Sequence, residues 1–194
     1  MKTFLLRSAG LATVSALAIV SPAEAHVATG GGSGFVQGFA HPLSGLDHEL
    51  AMVAVGIWAS QVGGRAVWTL PLAFPLAMLL GAVAGYFGLA SPLVELGIAF
   101  SVIVLGGCIA FALRPSMAIA GSIIGLFAIL HGHAHGVELP ASANPLLYGV
   151  GFLVATLALH LIGILGGSLT TRLAAPRAVR LGGLAIAAVG VFLL

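Results

Sequence analysis

Lysine occurs once in the 194 residues, at Lys2, and that scarcity removes whole classes of chemistry. A P-loop needs a Walker A lysine, so no P-loop of this chain can hydrolyse ATP, and a retinal Schiff base has no partner in the body of the chain. Cysteine also occurs once, at Cys108, which excludes an internal disulfide and a thiolate cage. With only four methionines, a thioether path for Cu(I) is equally unsupported. Charge of either sign is rare. Seven Lys+Arg and five Asp+Glu, 6% of the residues, leave no basic patch, and no aromatic array accompanies them, so nucleic acid is not a partner.

Hydrocarbon fills the chain instead. Hydrophobic residues make up 60%, and the mean hydropathy is +1.18, which the surface of a water-soluble domain of this size could not sustain. The chain therefore reads as an all-α, polytopic membrane helix bundle with the lipid bilayer as its first partner. An ionisable side chain at bilayer depth costs at least about 2.5 kcal/mol, so a polar residue retained there points to function or to a held partner.

Residues 1–25 carry the marks of a cleavable signal peptide. Lys2 and Arg7 form a basic start, Ala9 to Val20 an apolar core, and Ala23-Glu24-Ala25 a processing site. Cleavage would leave His26 at the mature N-terminus outside the cytoplasm, with residues 26–194 as one domain. Gly/Ser-rich residues 28–34 read as an external lead. Six apolar stretches follow, at 43–61, 68–87, 92–113, 117–135, 145–169 and 180–194, against the roughly 20 residues that a spanning helix requires. The last is short. Orientation follows from the basic residues, because cytoplasmic loops carry the excess of arginine. With the mature N-terminus outside, Arg65, Arg114, Arg172, Arg177 and Arg180 all fall inside, while Asp47, Glu49, Glu95 and Glu138 lie near the outer face.

Two short runs break the apolar background on that same outer side: His41-Pro42-Leu43-Ser44-Gly45-Leu46-Asp47-His48-Glu49 and His131-Gly132-His133-Ala134-His135-Gly136-Val137-Glu138. On a helix, His131, His135 and Glu138 share one stripe and His133 points away. Imidazoles one turn apart with a carboxylate nearby can hold a divalent ion such as Ni, Co, Zn or Fe. Gly132, Gly136 and the Leu139-Pro140 step predict that the stripe unwinds at its end. His41 and His48 also share a face, but seven residues rise about 10.5 Å, too far for one ion. Pro42 and Gly45 therefore predict a non-helical entry segment that folds His41 back over the helix start. His133 reads as a solvated loop residue, Glu95 as a helix-start charge with an accessory role as the alternative, and His26 as an accessory chelator at the terminus. His160, at mid-membrane by residue count, is a candidate relay, with a helix cross-link as its structural alternative. Gly81-Ala82-Val83-Ala84-Gly85 offers a small-residue surface, either within one bundle or between the subunits of a homo-oligomer.

These residues resemble a known family. His41 to His48 look like the H-x5-D-H signature of the HupE/UreJ permeases, accessory proteins linked to nickel hydrogenases and ureases. His131 to Glu138 are similar to that family's second signature, H-G-x-x-H-G-x-E. Leu130 departs from it, standing where the family more often has phenylalanine. The resemblance implies that His41, Asp47, His48, His131, His135 and Glu138 serve nickel uptake, with cobalt as the alternative cargo, in a permease of the bacterial inner membrane rather than an enzyme. No permanently bound cofactor is implied; the ion is cargo. Entry would be driven by the membrane potential or by proton exchange at Asp47 or Glu138. The same residues could also build an intramembrane zinc-type metallohydrolase, or a haem-binding cytochrome with His48, His131 or His160 as axial ligands.

Overall fold

Many large apolar side chains of this molecule face outward, and a few polar ones are buried within an otherwise apolar core. In the computed structural model, which describes residues 34–89, 93–173 and 175–194, His131, His135, His160, Ser101 and Thr156 are buried, whereas Leu72, Leu76, Leu80, Phe100, Leu126 and Ile162 are exposed. An apolar exterior, with the few buried polar groups enclosed by an apolar core, is what a helical bundle in lipid requires. Residues 1–25, expected to be a signal peptide, and His26 lie outside the described residues.

The described residues form helices α1 (Gly34–Ala40), α2 (Leu46–Val62), α3 (Ala66–Tyr86), α4 (Val94–Ala110), α5 (Met117–Val137), α6 (Pro145–Arg172) and α7 (Pro176–Phe192), with a 3-10 turn at His41–Leu43 and no strand among them. Helices α3, α5 and α6 are long and apolar enough to cross a membrane. Local chemistry marks their starts. Asn144 Oδ1 accepts the N–H groups of Leu146 and Leu147 at 3.1 Å ahead of Pro145, and Ser116 Oγ accepts that of Ile119 at 3.4 Å. The turn between α2 and α3 uses Gly63 and Gly64 at φ 79° and 56°, a backbone that other residues resist.

Glycines then bring helix pairs to backbone contact. A Cβ at Gly132 or Gly136 of α5 would overlap the carbonyls of Met78 or Ala82 on α3, and one at Gly81 or Gly85 would overlap those of Ile129 or His133. The α2–α6 pair is built the same way, with Gly56 against Gly163 and Ser60 against Gly167. Residue numbers rise together in both pairs, so each pair is parallel. In α4–α7, Ala110 meets Gly183 and Ile103 meets Gly190, so that pair is antiparallel. Small residues at these seams give the dispersion contact that lipid cannot compete with. The seam settles the Gly81–Gly85 surface as an internal one.

Four expectations need correction. The apolar stretch at 43–61 is one half of a discontinuous helix: α1 lies along the start of α6, with Gly38 against Tyr148 and Gly151 against Phe35, and α2 continues along the same helix beyond the turn. The entry segment therefore does not fold back; it interrupts a continuing path. Gly34, counted in the external lead, opens α1. The stripe on α5 does not unwind, since the helix runs to Val137, and Gly132 and Gly136 are contact points rather than breakers. His133 is not a loop residue: it sits on that helix, partly buried, with its Nε2 on the carbonyl of Leu89.

Candidate metal centre

The break in the α1–α2 path creates the site. Pro42 is buried beneath it, and both the N–H and the Oγ of Ser44 donate to the His41 carbonyl, at 3.0 and 2.6 Å. That closed turn presents His41 sideways, toward α5 and α6. Its ring packs 4.8 Å from the ring of His135 and 5.8 Å from that of Tyr148, and its Nε2 donates to Glu138 Oε2 at 2.9 Å. One ligand atom from each of His41, His135 and Glu138 falls within 4.8 Å of the other two. A cation drawn between them could contact all three with modest side-chain movement, given metal–ligand bonds of about 2 Å.

The first motif enters one turn deeper. At the start of α2, Asp47 Oδ1 accepts both the backbone N–H and the ring Nδ1–H of His48, each at 2.8 Å. This fixes the tautomer, so the lone pair sits on His48 Nε2, which has no hydrogen-bond partner among the described residues. His131 is set in the same way: Nδ1 donates to the Phe127 carbonyl at 2.8 Å, and the buried Nε2 is left free. The ring of His48 lies 4.4 Å from that of His135 and 4.9 Å from that of His131. Four imidazoles therefore form a continuous file, His41–His135–His48–His131. His41 and His48 are not brought to one ion: the group within common reach is His41, His135 and Glu138, and His48 adjoins it through His135.

Charge is concentrated at the outer end of the file. Glu138, just past the end of α5, is held well below the usual carboxylate range by the imidazoles of His135 and His41 beside it. Its Oε2 lies 3.6 Å from His135 Nδ1, beyond hydrogen-bond length. An ionised carboxylate facing unpartnered imidazole nitrogens is a donor set for a borderline divalent cation.

The two motifs, more than eighty residues apart in sequence, thus meet at one end of the bundle. Asp47 comes in as the partner that orients His48. His160 is buried deeper on α6, and Glu95 stands exposed on the first turn of α4, with no hydrogen bond or ion pair to the cluster among the described residues. Three aromatic walls escaped the sequence reading. Phe152 packs 4.3 Å from His135, Phe74 packs 5.7 Å from His131, and the buried Tyr148 carries an unpartnered hydroxyl beside His41. The i+4 spacing of Tyr148, Phe152, Thr156 and His160 was the available signal.

At the opposite end, Trp58 Nε1 donates to the Leu113 carbonyl at 2.9 Å, Gln61 Nε2 to Ile109 at 3.2 Å and Arg180 Nε to Ala110 at 2.7 Å. These three side chains cap the end of α4.

Residues 14–193 match the family described as HupE / UreJ protein. The chain is 46% identical over 182 residues to Protein HupE of Rhizobium leguminosarum bv. viciae, covering 94% of this chain and 95% of that one. No solved structure matches.

Proposed function

The chain belongs to the HupE / UreJ family, and from that premise we propose that it is a permease importing a divalent transition metal cation, nickel foremost and cobalt as the alternative cargo, for maturation of a hydrogenase or urease. The observation that carries this reading is the file of four imidazoles ending on Glu138, inside a bundle whose exterior is hydrocarbon. Unpartnered nitrogens at such depth cost free energy that a purely structural protein has no reason to retain.

In this reading the protein is no enzyme. It is a multi-pass protein of the bacterial inner membrane, with α2 to α7 as six spans, its mature N-terminus in the periplasm and its arginines in the cytoplasm. Glu138 and His41 at the mouth draw the cation from water. His135 passes it to His48 and His131, whose free Nε2 atoms are already oriented by Asp47 and by the Phe127 carbonyl. Neighbouring ligands of similar strength suit permeation, since an ion must leave each position as readily as it arrives. A membrane potential favours inward movement by about 2.3 kcal/mol per charge per 100 mV, with proton exchange at Asp47 or Glu138 as the alternative driver.

The test is uptake of radioactive nickel by cells expressing the wild type, His48→Ala or His135→Ala, with each protein's membrane level measured. Loss of uptake in both variants at wild-type levels is expected. Undiminished uptake in either one refutes the assignment.

A further inference from the structure

The file of imidazoles leaves one buried polar group unused. His160 is 1% exposed, with neither ring nitrogen hydrogen-bonded, and Thr156, one turn earlier on the same face of α6, is fully buried with its Oγ1 equally unpartnered. The ring of His160 faces α3 near the carbonyl of Pro71. That carbonyl lacks its helical partner, because the residue four positions on is Pro75, which has no N–H to give. Among the described residues, Thr156 Oγ1 therefore has no partner, and the Pro71 carbonyl and the His160 ring have at most each other as polar neighbours in an apolar interior. Each would cost on the order of 1–3 kcal/mol if left alone.

Their position continues the file. Phe152 touches His135, and Thr156 and His160 follow it at successive turns, about 6 and 12 Å further along the axis. The phenyl ring of Phe74 stands between the two levels, edge to face with His131 at 5.7 Å on one side and with His160 at 5.3 Å on the other. We infer that His160, Thr156 Oγ1 and the Pro71 carbonyl form a second, weaker station for the same divalent cation, one step inward of the entrance cluster. One imidazole nitrogen and two neutral oxygens bind a borderline divalent ion more loosely than the carboxylate-bearing entrance does, so the ion can move on. The inference rests on the entrance cluster being the site of capture.

The full chain, purified in detergent for equilibrium binding of radioactive nickel and reconstituted in vesicles for uptake, separates the two. The wild type should hold one tight and one weaker equivalent. His160→Leu should keep the tight equivalent with its Kd changed less than about twofold, lose the weaker one, and lower uptake at saturating nickel by about tenfold or more. Persistence of the second equivalent, or an unchanged saturating rate, overturns the inner station. If His160→Leu does not accumulate, Thr156→Val exchanges one hydroxyl for a methyl; it should weaken the second equivalent several-fold, and an unaltered second affinity overturns the proposal as well. His135→Ala should lose the tight equivalent, and its retention refutes the entrance reading while leaving the second equivalent to be judged by His160→Leu.

Discussion

The two ends of this bundle treat polar side chains in opposite ways. At the arginine end, Trp58, Gln61 and Arg180 each donate to a backbone carbonyl at or just past the end of α4, and Gln61 Oε1 is the one atom of these three side chains left without a partner among the described residues. At the histidine end, His48 Nε2, His131 Nε2 and both nitrogens of His135 reach nothing. Polarity that is matched within the protein stabilises the fold, while unmatched polarity at similar burial costs stability and is retained for a ligand. The comparison therefore predicts that mutations at the two ends will separate stability from metal binding.

A substitution at the seam shared by both ends should erase the difference altogether. In Gly132→Val, the added carbons meet the Met78 carbonyl, a backbone atom that cannot move without displacing α3. The expected cost is about 3 kcal/mol or more, seen as loss of detergent-stable protein and of nickel binding together. Survival of both would mean that α3 and α5 can separate without disturbing the site.

His135→Ala comes next and should act at one end only. Nickel affinity should fall on the order of 100-fold, because the middle member of the file is gone. The melting temperature in detergent should hold or rise, since two unmatched buried nitrogens leave with the ring. A large loss of stability would instead make His135 a structural residue.

Much of this division was legible beforehand, for a physical reason. Polar residues are so rare in this chain that His41 to Glu49 and His131 to Glu138 stand out without any knowledge of the fold, and the apolar runs between breakers coincide with α2 to α7 to within a few residues. What stayed hidden depends on contacts between helices. Seven residues containing Gly34 and Gly38 have little helical tendency alone, and α1 exists because those glycines let it lie on α6. Gly132 and Gly136 carry a helix penalty in isolation, offset here by backbone contact with α3. Phe74 and Phe152 look like ordinary core residues until the histidines they touch are placed.

Trp58→Phe should show the reverse of His135→Ala, with a smaller size. The indole N–H is the partner of the Leu113 carbonyl in a fully buried setting, and phenylalanine keeps most of the ring while removing that donor. Stability should fall by about 1–2 kcal/mol, read as a lower melting temperature, and nickel affinity should be unchanged. A change in affinity would show that the two ends are coupled through α2, which carries both Trp58 and His48.

The smallest effect, from His133→Ala, is the sharpest test of position within a motif. His133 lies between His131 and His135 in sequence, yet its ring turns away from the file, with Nε2 on the Leu89 carbonyl just past the end of α3 and only Nδ1 without a partner among the described residues. It should therefore behave as a structural residue set inside a functional run. Stability should drop by about 1 kcal/mol or less, and nickel affinity should stay within about twofold of the wild type. Calorimetric titration of the purified variant decides this. A loss approaching that of His135→Ala would mean that proximity in sequence, rather than the direction of the ring, selects the ligands.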